Sequence, residues 1–248
     1  MNIITNNNNN YGVEIKSYQD YIYKHSIEIN KLWDEEVVNE VLNHYQEGTD
    51  ILDIGANIGL VTLGISKKAK ERNIILNNIH CFECDTQLFN LLVHNLSSLN
   101  NIKFYPFAVA HKELLCNLSL LEHNLGCNHI YNTIDENEKK IYDYSSIFYQ
   151  DGHLKRNNVF LLGTALDNIK YNFKNKISVI KIDVEGFEVN VLNGAKNLIL
   201  EHKPVVIVEI YEKLNFSTVL QFFEDIKYKM YRKISNSEYS NQDYVFFP

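Results

Sequence analysis

Four carboxylates stand at or beside the ends of apolar runs. Asp53 lies in Asp50–Ile54, Glu83 closes His80–Glu83, Asp183 follows Ile177–Ile182, and Glu209 sits near the end of Pro204–Ile210. Runs of that length and composition suit buried parallel strands, and open α/β sheets bind ligands beyond the C-terminal ends of such strands. Acids gathered on that edge can hold a cationic group, accept hydrogen bonds from paired hydroxyls, or take a proton from an attacking hydroxyl. Of these, Glu83 is placed for paired ribose hydroxyls, and Asp183 is the first candidate for a general base, with Glu185 or Glu209 as substitute or orienter.

Between the first strand and the helix that begins near Ile58 lie Gly55 and Gly59. A glycine-bearing turn at a helix N-terminus offers free backbone N–H groups and permissive backbone angles to a nucleotide-like ligand. The dinucleotide pattern G-x-G-x-x-G fails, because Asn57 and Leu60 stand where glycines are required. Asp53 would also repel a pyrophosphate, whereas it could hold an amino group. S-adenosylmethionine fits these residues better, having an ammonium, a carboxylate, a ribose and no phosphate. Candidate cofactor contacts are Asp53, Gly55, Ala56, Asn57, Gly59, Glu83, Cys84, Phe107, Ala108 and Asp183. Methyl transfer to a hydroxyl is an in-line displacement, so catalysis rests largely on positioning, helped by an acid that accepts the proton.

The elements that must position these residues alternate strand and helix. Trp33, Val37, Val41 and Tyr45 recur at four-residue spacing within a helical stretch expected over Ile15–Gln46, which Gly48 stops. Asp85 is placed to cap a helix carrying Leu88, Leu91, Leu92, Leu96 and Leu99 on one stripe. Ile102–Phe107 reads as a third strand, and Leu114–Leu121 as a fourth segment, antiparallel and outside the main sheet. Residues 122–158 are polar and without sustained periodicity, as expected of a lid, a binding insertion or a flexible loop. Their Asn124, Gly126, His129 and Tyr131 are candidate acceptor contacts. Pattern returns at Val159–Ile169 and continues through an amphipathic helix with Val191, Leu192, Ala195, Leu198 and Ile199. A last helix over Phe216–Ile226 and an antiparallel pair, Tyr228–Ile234 and Tyr244–Phe247, finish the sheet.

At 248 residues and 45% hydrophobic content, the chain accommodates one large α/β domain. Its expected division is an Asn-rich disordered start over 1–12, an N-terminal helical extension over 13–48, and the catalytic domain over 49–248 with the polar insertion at 122–158. A net charge of −7 argues against a broad nucleic-acid footprint. Lys67, Lys68, Lys70, Lys139 and Lys140 read as solvated faces. Cys81, Cys84, Cys116 and Cys127 form no disulfide framework, and a single Cys-x-x-Cys on a strand gives no zinc site. The start carries no signal-peptide pattern and no apolar run spans a bilayer, so a cytoplasmic protein is expected, with no membrane partner. No feature of the sequence sets an oligomeric state.

Several ordered motifs together resemble the FkbM-type family of S-adenosylmethionine-dependent methyltransferases. They are Asp53-Ile-Gly-Ala-Asn-Ile-Gly59, Phe82-Glu83, Lys181-Ile-Asp-Val-Glu-Gly-Phe-Glu188 followed by Val191-Leu-Asn-Gly-Ala195, and Pro204 leading to Val208-Glu209. Trp33-Asp-Glu, Asn124-Leu-Gly126, Thr164-Ala-Leu-Asp167 and Asp243-Tyr-Val-Phe-Phe247 extend the resemblance over roughly residues 33–248. It implies a class I methyltransferase (Rossmann-like) fold: a mostly parallel seven-stranded sheet, helices on both faces and an antiparallel last strand. It also implies O-methylation, with a sugar, glycan or other small-molecule hydroxyl as acceptor. One alternative is an RNA ribose 2′-O-methyltransferase built on Lys181, Asp183 and Glu209, although a second lysine for that arrangement is missing. Another is a non-catalytic S-adenosylmethionine-binding module. An amino-methylating enzyme would carry an Asn/Asp-Pro-Pro-aromatic turn where this chain has Asp183-Val-Glu-Gly186. No dedicated metal ligand set is assigned, and Mg2+ on Asp183, Glu185 and Glu209 is a secondary expectation.

Overall fold

All five residues of Asp50–Ile54 are buried, and the rest of the molecule is layered around them. The computed structural model describes residues 3–18, 22, 30–120, 128–135, 140–143, 157–234 and 241–248. In chain order the strands and helices are β1 (Ile3–Asn6), β2 (Ile15–Tyr18), α1 (Glu35–His44), β3 (Asp50–Ile54), α2 (Leu60–Glu71), β4 (Ile79–Phe82), α3 (Thr86–Asn95) and β5 (Ile102–Tyr105). Next come β6 (Ala108–Val109), β7 (Leu114–Leu120), β8 (His129–Asp135), β9 (Lys140–Asp143), β10 (Asn157–Thr164), α4 (Leu166–Ile169) and β11 (Ile177–Ile182). The chain closes with α5 (Glu188–Gly194), α6 (Lys196–His202), β12 (Val205–Tyr211), α7 (Glu212–Asp225), β13 (Lys229–Lys233) and β14 (Asn241–Phe247).

The main sheet has seven strands in the order β13-β14-β12-β11-β3-β4-β5. Strands β12, β11, β3, β4 and β5 run parallel, while β14 is antiparallel to both β12 and β13. This is the class I methyltransferase architecture, with the antiparallel last strand expected from the sequence. Period-two alternation divides the strand residues between two cores. Leu52, Ile54, Phe82, Ile180 and Ile182 pack with α5, α6 and α7. Ile51, Ile79, Cys81 and Val179 pack with α1, α2 and α3 on the other face.

A second sheet, ordered β6-β10-β7-β8-β9, stands apart from the first. Its β7 is the antiparallel segment anticipated outside the main sheet. The third strand stops at Tyr105, because Pro106 has no N–H to give a ladder. Within 122–158, where the sequence shows no sustained periodicity, the described residues include β8, β9 and the start of β10; Asn124 and Gly126 lie outside the described residues.

The N-terminal region differs from expectation. Instead of disorder over 1–12, β1 and β2 pair as a hairpin whose asparagines build the turn. Asn9 donates to the carbonyls of Asn6 (3.0 Å) and Val13 (2.8 Å), and accepts from the Tyr11 N–H at 2.9 Å. Asparagine amides mimic backbone groups in this way, so a polar run can be a turn rather than a tail. Ile15, expected in a helix, begins β2 and is fully buried. Asn95 at the end of α3 exchanges two hydrogen bonds with the Lys16 backbone, fixing β2 against α3. The described helix of this region is α1, whose Val37 and Val41 are buried as their spacing requires. Among the described residues, no helix is long and apolar enough to cross a membrane.

Candidate active site

The glycine turn after β3 is shaped first by its neighbours in the fold. Gly55 has φ +80°, and a Cβ there would lie 1.7 Å from the carbonyl oxygen of Asp183. Gly59 has φ +90°, and a Cβ would meet Leu92 at 2.9 Å and Leu96 at 3.1 Å. Both positions thus combine the permissive backbone angles expected of the turn with crowding from Asp183 and α3, which leaves no room for a Cβ. Asn57 is also left-handed, with φ +51°, and its side chain accepts from the Ile58 N–H at 2.7 Å. Ala56 is buried and Gly59 stands behind the cleft wall, while Gly55 and Asn57 line it.

Asp53 occupies a different place from the one its position in the motif implies. Its carboxylate is fully buried, accepts from Thr62 Oγ1 at 2.7 Å, and lies 3.4 Å from Lys181 Nζ. The cation it faces is thus internal. Lys181, itself buried, also donates to Asp183 Oδ2 and to the Gly55 carbonyl, both at 3.2 Å. Burial alone would weaken the ammonium, but Asp183, Asp53 and Asp34 outweigh it and hold Lys181 above the ordinary lysine range. Asp34, from the Trp33-Asp-Glu motif, lies within electrostatic reach of both Lys181 and Asp183. One lysine therefore ties the N-terminal motif, the glycine turn and β11 together.

Beyond it, Asp183, Glu185 and Glu209 bring carboxylate oxygens within 4.8 Å of one another. Asn241 on β14 donates to Glu185 at 3.3 Å and to Glu209 at 3.2 Å. Glu185 sits at φ +49° and is pushed up to about 8 by burial, with Asp183 and Glu188 adding to it. Glu209 is raised well above its ordinary value by burial and by Asp183 and Glu185. Acids this close share protons, because neighbouring negative charges oppose each other. The oxygen set also matches a hard cation such as Mg2+, but a cation would have to displace the Asn241 amide from two of the three ligands. Glu188 is separate: it accepts from the Gly186 N–H at 2.7 Å and from Asn215 at 2.8 Å, bracing the turn that carries Glu185.

Glu83 lies on the far side of the glycine turn, two strands from Glu209's neighbour β11. It is 8% exposed, and each oxygen accepts one backbone N–H: Asn57 at 2.9 Å and Asp85 at 2.8 Å. Burial pushes it up to about 7. Glu83 lines a cleft that opens to solvent. Glu83, Cys84, Phe107 and Ala108 line one end of this cleft, and Asp183 and Glu185 line it as well. Its roof is the second sheet, through Leu118, Asn128, His129 and Ile130. Of the proposed acceptor residues, His129 is brought to the cleft, and Tyr131 is described as part of β8. The structure adds Asn241 and Asn128 to the site, and gives Lys181 its partners Asp53 and Asp183. Lys181 falls inside a recognised motif, but no spacing rule flags the two asparagines.

The methyltransferase FkbM domain family matches residues 53–230. The chain belongs to the FkbM methyltransferase family. Among solved structures it is similar to a methyltransferase FkbM from Methylobacillus flagellatus KT, with 15% identity and a TM-score of 0.53, covering 82% of this chain and 44% of that one. The chain thus spans less than half the length of that FkbM protein. It is also similar to Aeropyrum pernix fibrillarin in complex with S-adenosyl-L-methionine, with 10% identity and a TM-score of 0.48, covering 82% and 67% of the two chains. A Streptococcus thermophilus rRNA methylase matches with 10% identity and a TM-score of 0.48, covering 85% and 92%. The family membership accounts for the order of the motifs along the sheet edge.

Proposed function

We propose that this FkbM-family chain transfers a methyl group from S-adenosylmethionine to a hydroxyl of a sugar or glycan. The observation that carries the reading is that Asp183, ion-paired to buried Lys181, lines the same cleft as Glu83. Glu83 keeps open lone pairs for ribose hydroxyls, and Gly55 and Asn57 form the floor between the two acids. The cofactor would supply an electrophilic methyl group on a sulfonium. Asp183 would accept the hydrogen bond, and finally the proton, of the attacking hydroxyl. Lys181 orients that carboxylate, and Asp53 and Thr62 fix Lys181 in turn. Glu185, which burial pushes up to about 8, can donate a hydrogen bond to another hydroxyl of a polyol acceptor, and Glu209, raised in the same way by burial, can exchange hydrogen bonds with it. That mixture of donors and acceptors is the chemistry of sugar recognition. The net charge of −7 disfavours RNA as the acceptor.

The test is a mass-spectrometric search for an added methyl group on candidate glycans incubated with protein and S-adenosylmethionine, with ribosomal RNA as a parallel arm. Methylated glycan supports the reading; methylated RNA alone overturns the acceptor class. Asp183→Asn should lower turnover by roughly a hundredfold or more while changing cofactor affinity little. Full turnover in that variant removes Asp183 from the chemistry, and loss of turnover on chelation of the native enzyme would substitute a metal-assisted route.

A further inference from the structure

The roof of the cleft is attached beside Glu83. Glu83 accepts from the Asp85 N–H at 2.8 Å, and Asp85 Oδ2 accepts from Asn128 Nδ2 at 2.7 Å. Asp85 also caps α3 by accepting from the Gln87 N–H, so its position is fixed from three directions. The start of β8 is thereby tied to the loop after β4. Asp183 and Glu209 follow or end β11 and β12, on the other side of β3. With neighbouring strands about 4.8 Å apart, two strand spacings separate β4 from β11.

If the ribose sits on Glu83, its reactive end must lie toward Asp183 and its base toward Cys84, Asp85 and Phe107. His129, 2% exposed, lines the cleft beside Asn128. We propose that Asn128 and His129 close the purine end of the cofactor cleft, and that the acceptor enters past Glu185 and Glu209 without touching His129. This rests on the S-adenosylmethionine reading above and moves His129 from the acceptor side to the cofactor side. It gives β8 a purpose that the sequence pattern of 122–158 does not show: a strand delivered by the second sheet and latched to the helix cap beside the ribose anchor.

Calorimetry with S-adenosylhomocysteine tests it on the full chain, with S-inosylhomocysteine as the probe altered only in the base. In the native protein, the adenine compound should bind more tightly than the hypoxanthine one. His129→Ala should weaken S-adenosylhomocysteine about tenfold or more and narrow that preference. Asn128→Asp sets a carboxylate against Asp85 and should weaken binding similarly by faster release; it carries the test if His129→Ala does not fold. Undiminished affinity in a folded Asn128→Asp protein overturns the latch while leaving the methyltransferase reading intact. Absence of binding by the native protein overturns the cofactor reading, and this inference with it.

Discussion

Glu83 shows how one side chain's surroundings set a measurable property. Burial raises it to about 7, and the two backbone N–H groups it accepts from pull the other way without winning. A ribose hydroxyl donating to Glu83 favours the ionised form. Cofactor binding should therefore strengthen as pH rises through about 7, because binding and deprotonation support each other. Measured by calorimetry with S-adenosylhomocysteine between pH 6 and 8.5, affinity should increase and then level off. Glu83→Gln should flatten the profile; a steep rise persisting in that variant would assign the dependence elsewhere. At this scale Glu83, Asp183 and Glu209 were legible in the sequence, since an acid at a strand end is a pattern. The true partner of Asp53 was not. Lys181 and Asp53 are distant in sequence and meet only because β11 pairs with β3 in register.

Elements were readable where periodicity persists and misread where side chains replace backbone groups. The buried runs of β3, β11 and β12 and the leucine stripe of α3 follow from alternation and helical spacing. The β1–β2 hairpin did not, because its long turn, which includes Gly12 at φ +75°, is satisfied by asparagine amides and has no short hairpin pattern. The turn after β3 and the permissive angles of its glycines were readable, but the crowding by Asp183, Leu92 and Leu96 was not. That distinction has a consequence for stability. An alanine at either position takes a left-handed conformation costing about 1–2 kcal/mol. At Gly59 the added methyl meets the ends of Leu92 and Leu96, which can rotate away; at Gly55 it meets the backbone of Asp183, which cannot move without parting β3 from β11. Denaturant unfolding should therefore show Gly55→Ala to be clearly more destabilising than Gly59→Ala. Equal losses, or the reverse order, would mean that the ligand and not the β11 backbone sets the demand for glycine at 55.

Across the whole molecule, the acidic edge makes stability depend on pH in an unusual direction. Native proteins commonly lose stability in acid because paired carboxylates must take up protons. Here burial raises Glu83 and Glu188 to about 7 and Glu185 to about 8, against an ordinary 4.5. The native state thus holds protons that the unfolded chain has released. Their contribution is complete below the ordinary values and is lost as pH rises through the native ones. His80 and His202 act oppositely: burial lowers both from 6.5, so unfolding takes up protons and stability grows with pH until about 6.5. Above that pH the histidines are neutral in both states, while the three glutamates continue to ionise. The fall should therefore be clearest between about pH 6.5 and 8. Thermal unfolding of the ligand-free protein should show a lower Tm at the upper end of this interval than at the lower. Glu188→Gln, which keeps a side chain of similar size and removes one of the titrating groups, should reduce the slope. A Tm that rises across the interval would show that the acidic edge is ionised and compensated in the native state, and that its strain is released by partners other than protons.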